Sequence, residues 1–257
     1  MLVSSALALA AAAAAGSSAG GHGAHFPAAG GLSAIASSSA RLSALPDASA
    51  ASMLPPDIRR AIPTAEVIID AGHGGIDGGT HWGPWKESDI NLAIGRKLYL
   101  ILRSKGVRAV LSRTGDYALS DDNRWHGSHS RHRRDLAQRG GLANDIEAGM
   151  LVSIHVNWSP NPARRGPVVL YRPDDGRSAM LAFFVQDALN RQQNTRYLPK
   201  SATTYYLLNV AKIPSVIAET GFLSNESDRA MLTSPRGQTK IAEAIAAAIL
   251  AYRCFRL

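Results

Sequence analysis

Cysteine is almost absent from this chain of 257 residues, where Cys254 stands alone. An internal disulfide or a thiolate zinc cluster needs at least two thiols, so one chain can form neither. Any metal site must be built from histidine, aspartate and glutamate, and eight histidines are present. The lack of a disulfide leaves an extracytoplasmic address open, because exported bacterial proteins often do without one. Acidic residues are also scarce, 20 against 28 Lys and Arg, for a net charge of +8. The excess is local: Arg96 to Arg139 holds eleven basic residues and four acidic ones, a net +7. Such a balance selects anionic partners, whether nucleic acid, acidic membrane or acidic cell-wall polymer. Nucleic-acid binding usually adds interleaved aromatics or a reading helix, and Tyr99, Tyr117 and Trp125 are merely scattered. Nucleic acid is therefore not an expected partner.

A long hydrophobic run is missing as well. MLVSSALALAAAAAAG at the amino end is short and alanine-rich for a membrane span. It has the apolar core of an export signal but no Lys or Arg before it. Export signal or membrane tether and plain disordered tail are both compatible with it. From Ser17 to Pro63 the chain is mostly Gly, Ala, Ser and Pro, which buries too little apolar area to offset ordering entropy. Residues 1–63 read as a tail and linker, and 64–257 as one folded domain. No internal repeat is visible.

From Thr64 the pattern alternates. EVIID (66–70), VRAVLS (107–112), LVSIH (151–155), PVVLY (167–171) and SVIAE (215–219) read as strands. Helices are expected over 88–106, where Ser88 can cap and Ile90, Ile94, Leu98, Ile101 and Leu102 share a face, and over 178–192 and 238–252. A further helix over 135–148 is weakened by its Gly pair. Continuously apolar strands separated by helices imply a single α/β domain, a mostly parallel sheet with helices on both faces.

Three strands end in ionisable side chains: VIID runs into His73, LVSI into His155 and SVIA into Glu219. Ligands in open α/β sheets collect outside the carboxyl ends of strands, so the three can converge on one crevice. Each can equally be a polar strand terminus. Glu87, in the loop GPWKES before the first helix, either complements the helix dipole or points into the same crevice. Two imidazoles and one carboxylate make a catalytic zinc set that keeps a fourth position open. A further carboxylate, of the type and place of Glu219, then serves as general base and later as acid to the leaving nitrogen. Asp70, three residues before His73, either supports that imidazole from behind or bonds the glycine-rich loop amides.

HGG after a strand, WKESDINLAIGRKL, SIHVN and AETGFLSN occur in this order. The set resembles the motifs of the zinc-dependent N-acetylmuramoyl-L-alanine amidases of the amidase-3 family, from about Val67 to Tyr252. The resemblance implies one zinc ion per chain on His73, Glu87 and His155, with Glu219 catalytic. It also implies a six-stranded α/β fold and hydrolysis of the amide between muramic acid and L-alanine in peptidoglycan, outside the cytoplasm. DYALSDDNR, YLLNVAKIPSVIAETGFLSNESD and the absence of wall-binding modules look most like the germination type acting on spore cortex. An activating or downstream cortex-modifying protein stays open as a partner. The run NRWHGSHSRHRRDLAQR departs from this pattern with His126, His129 and His132. These read as solvated loop histidines rather than a second metal site, and His81 as a loop residue near the crevice. Arg131, Arg133 and Arg134 of the same loop are candidates for binding anionic wall polymer. Two rival functions stand beside the amidase: a zinc peptidase cutting within the stem peptide, and a non-catalytic wall-binding protein with a structural zinc.

Overall fold

A computed structural model of the protein describes residues 64–122 and 129–255. The tail and linker 1–63, Trp125 and His126 lie outside the described residues. In chain order the elements are β1 (Thr64–Ala65), β2 (Val67–Ala71), β3 (His81–Trp82), β4 (Trp85–Lys86) and α1 (Glu87–Ser104). Then come β5 (Ala109–Leu111), α2 (Leu119–Asp122), α3 (Arg131–Asp145), β6 (Glu147–Ala148), β7 (Leu151–Asn157) and β8 (Val168–Tyr171). The chain continues through α4 (Gly176–Gln193), β9 (Lys200–Ser201), α5 (Tyr206–Val210), β10 (Ser215–Phe222), α6 (Glu226–Thr233) and α7 (Pro235–Phe255).

Six strands form one sheet in the order β5-β2-β7-β10-β8-β9. The first four run parallel; β8 is antiparallel to β10 and carries β9 parallel to itself. The mostly parallel α/β layer expected from the sequence is what forms. All five residues of β2 and all eight of β10 are buried, because both faces of the sheet are covered. On one face Val67, Ile69, Val152 and Val216 meet Ile94 and Leu98 of α1, Leu181 and Val185 of α4, and Ile241, Ile245 and Ile249 of α7. On the other face Ile68 and Leu151 pack on Ala143 of α3 and Leu207 of α5, and Ile217 packs on Leu208. Each such fully buried Leu or Ile contributes roughly 1.5–3 kcal/mol. Truncating Ile94 to alanine would cost about 2–5 kcal/mol.

Two local expectations differ from what forms. Helix α1 starts at Glu87, so Ser88 lies inside it and caps nothing. Carbonyls of the preceding loop take the first helical N–H groups instead, Glu87 N donating to Thr80 O at 2.8 Å and Ser88 N to Gly78 O at 3.1 Å. Helix α3 starts at Arg131, four residues earlier than the pattern suggests, with Ser130 as its cap. Arg131, Arg133 and Arg134 therefore sit in a helical first turn rather than a loop. The Gly pair does not break α3, because Gly140 is where Val210 comes closest: a Cβ there would lie 2.3 Å from Val210 Cγ2. Packing thus outweighs the roughly 1 kcal/mol propensity penalty of glycine.

Candidate active site

The site stands at the carboxyl ends of β2, β7 and β10. Strand β2 leaves the sheet at Ala71 and delivers Gly72 and His73, whose backbone is left-handed at φ 60°. The bareness of this loop has a steric cause: a Cβ on Gly72 would fall 2.4 Å from the imidazole of His155. Only glycine lets β2 turn this close to its neighbour. Strands β7 and β10 pair in register with His155 opposite Glu219, and both strands continue two to three residues further than the sequence pattern suggests. The hairpin of β3 and β4 then sets the start of α1 so that Glu87 turns inward and is buried.

Glu87 Oε1 lies 3.0 Å from His155 Nδ1 and 3.3 Å from His73 Nε2. The donor atoms of His73, Glu87 and His155 lie within 4.8 Å of one another, the one such group among the described residues. Backbone N–H groups steady the carboxylate: Val156 N donates to Oε1 at 3.0 Å and Thr80 N to Oε2 at 2.9 Å. Burial works to raise the Glu87 pKa, but hydrogen bonds and charge from both imidazoles hold it far below the usual carboxylate range. His73 is pushed up to about 10: burial opposes protonation, and the hydrogen bonds to Asp77 and Glu87 outweigh it. Two imidazoles around one ionised carboxylate suit a divalent cation, whose binding would displace the ring protons that now face Glu87 and free the nitrogen lone pairs.

Glu219 is buried beside this set, and its Oε2 has no hydrogen-bond partner. Burial pushes its pKa up to about 7, with Glu87 acting the same way and the two imidazoles opposing. Glu219 lines the same cleft as His73, Glu87 and His155. A cation on the three donors would favour its ionised form.

Asp70 does not reach the imidazole. Its oxygens take Arg139 Nη1 and Ser153 Oγ, each at 2.6 Å, so it bonds neither His73 nor the loop amides. The partner of His73 Nδ1 is Asp77 Oδ2 at 2.8 Å, a residue the sequence reading passed over. The only signal was its place in HGGID, four residues beyond the histidine. The second omission is a pair of buried arginines counted as surface charge. Arg139 donates to Ala71 O at 2.9 Å and His73 O at 2.7 Å, besides Asp70 and Asp135. Arg113 donates to Ala71 O at 2.9 Å, Gly72 O at 3.1 Å and Ser88 O at 2.7 Å. Every carbonyl of the loop from 71 to 73 is thereby held by a guanidinium, fixing the strained turn that presents His73. Part of the +7 segment is therefore interior scaffold, not a face.

A cleft of about 500 Å³ opens over these groups, walled by Trp158, Tyr205, Tyr206 and Leu207 as well as His132, Leu136 and Arg139. His132, expected in a solvated loop, sits in the first turn of α3 with its Nδ1 4.0 Å from Asp77 Oδ2. His129 and His81 are exposed, and neither joins a metal-type group. Arg131 pairs with Asp121 at 2.8 Å, and Arg131 and Arg133 are exposed at the surface.

The profile of the N-acetylmuramoyl-L-alanine amidase family matches residues 67–251. The chain belongs to this family. It is an amidase of the peptidoglycan-hydrolysing kind. The germination-specific N-acetylmuramoyl-L-alanine amidase of Bacillus subtilis is 33% identical over 188 residues, 72% of this chain and 78% of that protein. Among solved structures, the CwlD amidase of Clostridioides difficile in complex with the GerS lipoprotein is 34% identical. It aligns with a TM-score of 0.69 over 75% of this chain and all of that one. An N-acetylmuramoyl-L-alanine amidase from Clostridium difficile 630 is 31% identical with a TM-score of 0.64, covering 74% and 97% of the two chains. Likeness to this family favours the amidase over both rival functions.

Proposed function

We propose that this amidase is zinc-dependent, holding one ion on His73, Glu87 and His155, with Glu219 as the general base and acid of the reaction. The observation that carries the reading is the three-donor cluster beside the unpartnered Glu219 Oε2. When bound, zinc supplies Lewis-acid polarisation of the scissile carbonyl and a water nucleophile near neutral pH. His73 and His155 each turn one ring nitrogen toward Glu87, so the donor set is preorganised by Asp77, Val156 N and Thr80 N. Glu219 accepts the proton of the attacking water as the C–O bond forms. It returns that proton to the alanine nitrogen as the C–N bond breaks, leaving a muramic carboxylate and a free peptide amine.

The germination-specific relative supports action on spore cortex, outside the cytoplasm. The catalytic domain is proposed to span 64–257, with a linker before it and either an export signal or tether or a plain tail at the amino end. Among the described residues no helix is long and apolar enough to cross a membrane. The complex of CwlD with a lipoprotein supports an activating or cortex-modifying protein partner here as well. Arg131, Arg133 and Arg134 are proposed to attract the anionic wall polymer at the rim of the cleft. The test is incubation of the purified protein with zinc and peptidoglycan, followed by mass analysis. New L-alanine amino ends on intact stem peptides support the amidase. Cuts between amino acids would mean a peptidase instead, and zinc binding without any product a wall-binding protein.

A further inference from the structure

Three indoles stand at the surface near this site. Trp82, Trp85 and Trp158 are 43%, 42% and 48% exposed. Leaving so much aromatic area in water forgoes burial energy, so an exposed cluster of this kind suits a ligand that can cover it. Trp82 and Trp85 face each other across the hairpin of β3 and β4, and the guanidinium of Arg229 stacks on the Trp82 ring at 4.5 Å. Trp158 follows the end of β7, its backbone N–H donating to Asn157 Oδ1 at 2.8 Å. Rigid, partly exposed aromatics of this kind bind with little loss of conformational freedom.

Arg229 and Leu223 tie the hairpin to the end of β7. Arg229 Nη1 donates to Leu223 O at 3.0 Å, Leu223 N donates to Asn157 O at 2.8 Å, and Trp158 is the next residue. At the other end the hairpin leads directly into Glu87, and Thr80 just before it bonds the Glu87 carboxylate. Trp158 itself lines the catalytic cleft. The surroundings of the indoles are polar: His81 and Lys86 are exposed on the hairpin, and Arg229 covers one ring. An aliphatic partner would leave those polar groups unsatisfied, whereas a sugar ring offers an apolar C–H face to an indole and hydroxyls to the donors around it.

We propose that Trp82, Trp85 and Trp158 form a platform on which consecutive sugar rings of the peptidoglycan glycan strand stack, registering the strand beside the cleft that takes the muramoyl–alanine amide. The proposal rests on the amidase reading above and adds the glycan backbone as a recognised part of the substrate. Stacking commits the enzyme to the polymer, so that the stem peptide is presented to Glu219 from a strand already aligned.

The experiment titrates a peptide-free tetrasaccharide of alternating N-acetylglucosamine and N-acetylmuramic acid into the full chain, followed by tryptophan fluorescence and calorimetry. Trp82→Ala/Trp85→Ala and Trp158→Ala are expected to raise Kd about tenfold each, the scale of a removed aromatic anchor. Trp82→Phe/Trp85→Phe should restore most of the affinity, because stacking needs a ring rather than an indole. Thermal melting and zinc content of the same proteins separate a lost platform from a lost fold. No binding by the unsubstituted chain, or equal Kd across all variants, overturns the proposal. Release of the alanyl peptide from a soluble muramoyl dipeptide is measured in parallel on the unsubstituted chain. Failure of that release sinks the amidase reading and leaves the sugar-binding result to stand by itself.

Discussion

Replacing Arg139 by methionine tests how the His73 loop is held. The guanidinium is buried and makes four hydrogen bonds, to Asp70 Oδ1, Asp135 Oδ2, Ala71 O and His73 O, at 2.6–2.9 Å. Methionine fills similar volume but leaves two carboxylates without their cation and two carbonyls with fewer donors. Removing one partner of a buried ion pair costs about 3–5 kcal/mol, against a total stability of about 5–15 kcal/mol. For a folded part of this size that is a fall of roughly 6–20 °C in Tm. Arg139→Lys keeps the charge but offers three donors without the planar fork, so it should fall between the two. The pH dependence follows from Asp70: burial raises its pKa, and Arg139 with Ser153 more than offsets this, so the folded value lies below the unfolded one. Its contribution to stability is complete above the unfolded pKa of about 3.9 and is lost as pH falls through the folded value. Denaturant unfolding of wild type should therefore weaken progressively below about pH 4, and Asp70→Asn should flatten that dependence. In the double variant Asp70→Asn/Arg139→Met the isolated buried charge at position 70 is gone, so the loss should be smaller than the sum of the two single losses. Strict additivity, or an Arg139→Met loss under about 1 kcal/mol, would refute the reasoning.

The remaining expectations concern the reacting groups and the rim. His73→Ala, Glu87→Ala and His155→Ala should each lower zinc per chain without unfolding the protein, since the core lies elsewhere; unchanged zinc in all three, measured by atomic emission, would refute the ligand set. Glu219→Gln should keep zinc while turnover on peptidoglycan drops by about 10²–10⁴-fold, whereas lost zinc would make Glu219 a ligand. Gly72→Ala should displace the His155 ring, because the new Cβ would fall 2.4 Å from it, and zinc affinity should fall even where the melting point does not. Charge reversal at Arg131, Arg133 and Arg134 should weaken sedimentation with peptidoglycan at about 0.1 M salt, an effect that fades toward 1 M as the Debye length shortens from about 10 to 3 Å.

The five main strands and the longer helices were legible in the sequence because burial on both faces leaves unbroken apolar runs such as VIID and SVIA, a signal that needs no knowledge of neighbours; the two-residue strands, β9 of the main sheet among them, and the short helices α2, α5 and α6 were not. Ionisable groups at or near the carboxyl ends of those runs were legible too, so His73, His155 and Glu219 stood out, although β7 and β10 run two to three residues further than the pattern suggests. What brings them together is pairing register, Glu219 opposite His155, and no local pattern encodes register between strands 64 residues apart. The start of α1 at Glu87 follows from the fold of the loop before it, whose Gly78 and Thr80 carbonyls take the place of the hydroxyl cap that local chemistry suggests. Arg113 and Arg139 looked like members of a basic stretch because charge says nothing about burial until a fold supplies carboxylates and loop carbonyls to pair with. Asp70 illustrates the same limit in reverse. Proximity in sequence made it a candidate partner for His73, yet its side chain bonds Ser153, its register partner on β7, and Arg139 of α3. The sequence by itself determined the main strands and long helices and which residues carry reactive groups, since both follow from local side-chain chemistry. Tertiary structure alone decided which of those groups touch, because contact depends on strand register and on the turn at Gly72.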